Sequence, residues 1–372
     1  MISESKVEAE QEAPPAAPPS PPPWFLGLAS IAILLPLLHY GRDFFVPLSI
    51  AVLLFILIVA IGERTRGITI AGRGIPGWAA HVLSMTAVFG FFAGAIRVIT
   101  GQVAEMSAAA PVYATRLGAR IDNLSAAIGQ DAADRLRAKL EHFDVEAALS
   151  SLIAPAGAVL ATALLVFFYV LFMLAEREAF ARKLPIALGS EARAERLARA
   201  ARTISIIVQR YMWINTRTSA LAAAVLYAVL KLTGVDFAAP LSLLIFFTAF
   251  IPTVGTVFGI AAPAVFALLQ FGFAWPFWFV LIVGGALRLI IDNVIQPMLA
   301  GRSLDMSSLA VMLALALWGG LWGLAGAFLS VPLTAVFMIV CAQFPALRLF
   351  ATLLSADGAV VSRNDVSDEQ AR

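Results

Sequence analysis

Four side chains that could do chemistry inside a membrane lie between residues 284 and 305, namely Arg288, Asp292, Asn293 and Gln296. Arg288, Asp292 and Gln296 are spaced by four residues, so a helix would align them in one stripe and bring the two charges together. A charged side chain in a membrane span costs about 3 kcal/mol and usually faces a bundle interior or a cavity. We interpret the stripe as the polar wall of a central cavity, in which the two charges neutralise each other. The alternative is that the helix leaves the bilayer here and the stripe touches headgroups or water.

The composition indicates which class of protein holds this stripe. Of the 372 residues, 60% are hydrophobic and only 13% are charged, whereas a soluble domain has roughly 25% charged residues. The chain is therefore predicted to be an all-α, polytopic helical membrane protein with about eight transmembrane helices. A net charge of +2 gives no reason to expect a nucleic-acid partner. One cysteine and three scattered histidines predict no disulfide framework, no metal site and no cofactor.

The distribution of apolar and basic residues predicts the order of the segments and their orientation. The stretch 176–210 holds eight Lys/Arg against four Asp/Glu, and basic loops beside membrane spans stay in the cytoplasm. Counting spans from there places both termini in the cytoplasm. The predicted segments are a disordered Pro-rich cytoplasmic tail (1–23), transmembrane helices 1–3 (24–101), an external amphipathic helical region (102–150), transmembrane helix 4 (151–175), a cytoplasmic Arg-rich helical region (176–214), a C-terminal transmembrane transport region (215–347) and a cytoplasmic tail (348–372).

Two apolar stretches in the C-terminal half contain clusters of glycine and proline. The stretch 306–347 has no charged residue; as one helix it would be about 60 Å long, twice the hydrocarbon thickness, so it must fold back. Broken or re-entrant helices of this kind are typical of transport sites, and close helix packing at glycine is a compatible alternative. The candidate substrate-binding or translocation residues are Pro252, Thr253, Gly255, Thr256 and Gly259, together with Arg288, Asp292, Asn293, Gln296 and Pro297, which ends or kinks its helix. The candidate hinge or packing residues are Pro263, Gly319, Gly320, Gly323, Gly326 and Pro332.

Three segments in this half resemble the AI-2E family of transporters. They are "FIPTVGTVFGIAAPAVFALLQ", "DNVIQPMLAGRSLDMSSLAVMLAL" and "WGGLWGLAGAFLSVPLTAVFMIV", which occur in the family's order and spacing. The resemblance implies a multi-pass secondary transporter of the bacterial inner membrane, whose partners are the lipid bilayer, a small-molecule substrate and a coupling ion, H⁺ or Na⁺. It also implies a homo-oligomer, with a pentamer as the expected form, and an elevator-like alternating-access movement. Some members of the family export the quorum-sensing signal autoinducer-2, and others exchange Na⁺ or Li⁺ for H⁺.

The side chains favour solute export over the other functions. Autoinducer-2 is neutral and rich in hydroxyl groups, so hydrogen-bonding side chains such as Asn293, Gln296 and Thr256 suit it. An ion site requires a titratable carboxylate, and Asp292 beside Arg288 would stay ionised, which disfavours a simple Na⁺(Li⁺)/H⁺ antiporter without excluding an ion-coupling role. A membrane scaffold or assembly protein is the alternative from another class. An enzyme is not expected, because the chain lacks the G-x-S-x-G, H-E-x-x-H and phosphate-loop motifs.

Overall fold

The computed structural model of the protein describes residues 23–67, 69–70, 73–129, 156–300, 306–343 and 347–356. The helices in chain order are α1 (Pro23–Tyr40), α2 (Arg42–Arg66), α3 (Gly77–Ile128), α4 (Ala156–Leu188), α5 (Glu191–Thr233), α6 (Ala238–Thr248), α7 (Val254–Phe271), α8 (Ser308–Gln343, preceded by the composite helix defined below) and α9 (Arg348–Leu354). A two-residue antiparallel pair, β1 (Thr69–Ile70) with β2 (Arg73–Gly74), closes the turn between α2 and α3. The prediction of an all-α polytopic membrane protein is confirmed.

Five helical stretches among the described residues are long and apolar enough to cross a membrane, by length and composition. They are Arg42–Arg66, Gly77–Gln102, Val254–Phe271, Trp275–Ile295 and Ser308–Gln343. Helix α3 runs without interruption from its membrane-compatible part through the start of the predicted external region. In the same way, α5 joins the Arg-rich segment and the start of the predicted C-terminal transmembrane transport region in one helix of 43 residues.

The composite helix spans residues 275–300 and alternates between α and π geometry. Its pieces are an α-helical Trp275–Phe279, a π-helical Val280–Gly284, an α-helical Gly285–Ile290, a π-helical Ile291–Ile295 and an α-helical Gln296–Ala300. Pro297 does not end this helix, which continues to Ala300. The π turn directly before the proline widens the backbone at the position where a regular helix would clash with the proline ring. Such π turns are frequent at functional sites.

Helix α8 folds back on itself, as the length of its uncharged stretch predicts. Its backbone leaves helical geometry at Gly323, with φ 63° and ψ −139°, a conformation that only glycine adopts without strain. The Trp318 indole N–H donates to the Thr334 hydroxyl oxygen at 3.0 Å, although 16 residues of straight helix would separate them by about 24 Å. Two antiparallel arms therefore make up α8. Gly326 permits their contact, because a Cβ there would lie 1.8 Å from the Trp318 carbonyl oxygen.

The remaining hinge or packing candidates take different places in the two broken stretches. Pro263 and Pro332 are fully buried inside α7 and the second arm of α8. A Cβ at Gly319 would make an ordinary contact at 3.9 Å with the opposite arm, at Ala327, whereas one at Gly320 would meet nothing within 4 Å. Of the four glycines, Gly323 and Gly326 are thus the two that the fold of α8 requires.

Helices α6 and α7 form a second hairpin, broken between Ala249 and Thr253. Its open end is held by Gln270, whose side-chain amide donates to the Gly234 carbonyl at 3.0 Å and accepts from the Asp236 N–H at 2.8 Å. At the tip, a Cβ on Gly255 would lie 2.4 Å from the Thr248 carbonyl oxygen, so only glycine permits this turn.

The buried apolar residues of the described part group into three clusters. One joins α5, α6, α7 and the composite helix, and another joins α2, α3 and α4. Between them, a third cluster brings the tips of both hairpins against α2 and α5. In it, the rings of Phe250 and Phe328 lie 5.1 Å apart, centroid to centroid. The hairpins thus meet between an N-terminal and a C-terminal helical body.

Several predictions fall outside the described residues. They concern the tails at 1–22 and 357–372, the part of the amphipathic region from 130 to 150 with the adjoining start of the fourth span, and the charged residues at 301–305.

Candidate transport site

An ion pair occupies the centre of the composite helix. The Arg288 Nε lies 3.0 Å from the Asp292 Oδ2, and the two side chains are only 7% and 14% exposed. The pairing that the four-residue spacing predicts is therefore confirmed. The Arg288 Nε–H itself is not aligned for a hydrogen bond.

Helix α7 provides the groups that accommodate this ion pair. The Thr256 hydroxyl donates to the Asp292 carboxylate, and Thr256 lies in the first turn of α7, where the helix dipole favours a negative charge. One turn later, Gly259 leaves room for the arginine, since a Cβ there would approach the Arg288 Nε to 3.3 Å. Helix α7 thus stabilises the carboxylate of Asp292 and leaves space for the Arg288 side chain.

A second polar contact joins the composite helix to α5. The Gln296 side-chain amide donates to the Asn215 Oδ1 at 3.1 Å, and Asn215 is almost fully buried. Asn215 shares one face of α5 with Tyr211 and Ser219, each four residues away. The Tyr211 hydroxyl donates to the Phe250 carbonyl at 3.4 Å, at the tip of the α6–α7 hairpin. The Ser219 hydroxyl is buried without a hydrogen-bond partner among the described residues.

This face of α5 was missing from the sequence-based set of candidates. In the predicted order of segments, Asn215 is only the first residue of the C-terminal transmembrane transport region. The available signal was the spacing by four of Tyr211, Asn215 and Ser219, which lead into the uncharged run 218–230. The same spacing identified Arg288 and Asp292.

The polar cluster comprises Arg288, Asp292, Thr256, Gln296 and Asn215. Among the described residues, three other candidates form no hydrogen bond with it. Asn293 is exposed, and its amide donates to the Leu289 carbonyl one turn back in its own helix, at 2.9 Å. Pro252 lies in the break between α6 and α7. Thr253, beside it, has φ 62°, which costs about 1–3 kcal/mol in a residue other than glycine. Strain of that size is typical of functional turns.

The polar cluster is suited to binding through hydrogen bonds. Its one carboxylate is neutralised by the adjacent guanidinium, and hydroxyl and amide groups from three helices lie nearby. In the part of the chain that the structure describes, no group of three or more His, Cys, Asp or Glu side chains could hold a metal ion.

Comparison with known proteins finds similarity to transport proteins. The model of the AI-2E family of transporters matches residues 28–346. A protein of Haemophilus influenzae named "Putative transport protein" is 27% identical over 341 residues, 88% of this chain and 95% of the relative. The "Putative transport protein YhhT" of Escherichia coli is 27% identical over 84% of this chain and 88% of its own length. The "AI-2 transport protein TqsA" of Escherichia coli is 35% identical over 150 residues, 40% of this chain and 43% of the relative.

Proposed function

The chain belongs to the AI-2E family of transporters, and from that premise we propose that it exports a small, uncharged, hydroxyl-rich solute such as autoinducer-2. The membrane would be the bacterial inner membrane, and the transport would be secondary. A relative that is similar over less than half of this chain is named as an AI-2 transport protein, which supports the choice of solute.

The neutralised Asp292 carboxylate is the observation that carries this proposal. A cation would have to compete with the Arg288 guanidinium at 3.0 Å. A neutral polyol can instead exchange hydrogen bonds with Thr256, Gln296 and Asn215 while the ion pair stays intact. Ligand sites commonly combine an apolar lining with a few fixed polar groups, and the apolar packing of both hairpin tips supports such a site.

The two hairpins support an elevator-like movement. The α6–α7 hairpin extends from the end at which α5 terminates, where Gln270 contacts Gly234. Helix α8 begins shortly after Ala300, near the opposite end of the uncharged part of α5 (218–230), because Gln296 contacts Asn215 just before that part. Discontinuous helices that approach a site from both sides are typical of secondary transporters. In this proposal, the body formed by α5–α7 and the composite helix moves against the body formed by α2–α4.

Counterflow in proteoliposomes tests the proposed substrate. Labelled autoinducer-2 should exchange in vesicles with the wild-type protein, and Gln296→Leu or Thr256→Val should reduce this flux at least tenfold. Thr352→Val is the matched control, because the Thr352 hydroxyl is exposed and bonds only within α9, to the Arg348 carbonyl. Wild-type flux in both site variants would contradict the proposed site.

Na⁺(Li⁺)/H⁺ exchange is the second candidate, since the carboxylate of Asp292 beside the Thr256 hydroxyl could also contribute to a cation site. Imposed Na⁺ and H⁺ gradients in the same vesicles distinguish the two functions. Ion exchange without any movement of the labelled solute would replace the first proposal by the second.

A further inference from the structure

A pair of arginines flanks one tryptophan away from the polar cluster. The guanidinium carbon of Arg64, at the end of α2, lies 4.7 Å from the centroid of the Trp213 ring, and that of Arg217 lies 5.2 Å from it. Because both guanidinium groups contact the same ring, they lie within about 10 Å of each other. Two helices that are distant in sequence thus bring two positive charges to one indole.

These charges have no acidic partner among the residues that the structure describes. The carboxylate that adjoins Arg64 in the sequence, Glu63, forms an ion pair with Arg177 instead, at 3.4 Å. Arg64 and Arg217 are both exposed, and each contacts Trp213 rather than a carboxylate. Cation–π contacts fix the position of a guanidinium without neutralising its charge. The group formed by Arg64, Trp213 and Arg217 therefore keeps a net positive charge in a fixed arrangement.

The position of the site along both helices matches a membrane boundary. Arg217 is the last charged residue before the uncharged run 218–230 in α5, and Arg64 follows the uncharged run 44–62 in α2. Tryptophan is enriched at the level of the lipid headgroups. Leu221, one turn beyond Arg217 on the same face, is 40% exposed and offers an apolar surface on the bilayer side of the charges.

We propose that Arg64, Trp213 and Arg217 form a binding site for the phosphate group of an anionic phospholipid. Guanidinium groups bind phosphate oxygens through pairs of parallel hydrogen bonds. With the phosphate bound by both guanidinium groups, an acyl chain would run along α5 past Leu221. The site is separate from the proposed transport site and does not depend on the identity of the transported solute.

Lipid titration of the full-length protein in detergent tests the site, with the lipid-bound fraction measured by native mass spectrometry. Phosphatidylglycerol is the anionic probe, and phosphatidylcholine is the zwitterionic one. Each basic residue near an anionic surface contributes about 1 kcal/mol. Arg64→Gln and Arg217→Gln should therefore each weaken phosphatidylglycerol binding about fivefold, and the double variant about 25-fold. Phosphatidylcholine binding should stay unchanged.

Arg193→Gln is the matched control, because Arg193 is an exposed arginine of the same helix, about 30 Å from Trp213 along the axis. A loss in this control equal to that in Arg217→Gln would overturn the proposal. So would a double variant within twofold of wild type, an equal loss of phosphatidylcholine binding, or displacement of the lipid by inorganic phosphate.

The salt dependence of lipid binding by the wild-type protein is a measurement that does not depend on the folding of a variant. Phosphatidylglycerol binding should weaken as NaCl rises from 0.1 to 1 M, because exposed charges are screened. Brominated phosphatidylglycerol should also quench the fluorescence of Trp213, which is the part of the wild-type tryptophan emission that is missing from the Trp213→Phe variant. Salt-independent binding, or equal quenching with brominated phosphatidylcholine, would contradict the site.

Discussion

The buried ion pair gives a quantitative test through a double-mutant cycle. Asp292→Asn keeps an acceptor for the Thr256 hydroxyl and removes only the charge, so Arg288 is left buried and unpaired. Arg288→Met keeps an unbranched apolar side chain near Gly259 and removes the guanidinium. Removing one partner of a buried pair costs about 3–5 kcal/mol of the free energy of unfolding. We expect about 3 kcal/mol for each variant, because Asp292 keeps 14% of its side chain exposed.

The double variant Arg288→Met/Asp292→Asn leaves no unpaired charge. Its cost should be about 3–4 kcal/mol instead of the additive value of about 6, which gives a coupling energy of about 2–3 kcal/mol. Equilibrium unfolding in mixed micelles, followed by circular dichroism, measures all four proteins under one condition.

Arg199 and Glu195 provide the control cycle. They have the same four-residue spacing and an N–O distance of 3.2 Å, but their side chains are 57% and 70% exposed. An exposed pair of this kind should show a coupling energy below about 1 kcal/mol. Equal coupling in the two cycles, or additive costs at Arg288 and Asp292, would refute the reasoning that burial makes this pair strong.

Three further predictions concern close contacts in the C-terminal half. Gly326→Ala places a Cβ against the opposite arm of α8 and should lower the free energy of unfolding by at least about 3 kcal/mol. Gly320→Ala is the control: its Cβ meets nothing within 4 Å, so the free energy of unfolding should change by less than about 1 kcal/mol. Gly259→Ala should displace the guanidinium of the ion pair and reduce solute flux more than tenfold while the protein still folds, as counterflow and gel filtration together would show. Gln296→Leu removes the donor that bonds the buried Asn215 amide and should lower the free energy of unfolding by about 1–3 kcal/mol. The double variant Gln296→Leu/Asn215→Leu leaves no unpaired amide and should recover part of that loss in the same unfolding assay.

The sequence was sufficient for those features that depend on length or on local spacing. The fold-back of α8 follows from an uncharged run twice as long as the bilayer is thick, and the contact between Arg288 and Asp292 follows from four-residue spacing on a helix. Both are consequences of helix geometry alone.

Contacts between distant helices could not be predicted in this way. The partner of Gln296 is Asn215, 81 residues earlier in the chain, and only the packing of α5 against the composite helix brings them together. The bond from Thr256 to Asp292 likewise requires the tip of one hairpin to meet another helix. The π turns are a further example, because they depend on how the surrounding helices accommodate an irregular backbone.

The length of α3 has a consequence for imaging. Its last 26 residues lie beyond the part that is compatible with a membrane span. At 1.5 Å per residue they extend about 39 Å along the helix axis. Pro111 is the one proline inside α3, and it is the position at which the helix can bend. Averaged electron micrographs of the protein in a lipid disc should show this part of the helix as density outside the disc on one side. That density would mark which way up the averaged particles lie without an added antibody fragment.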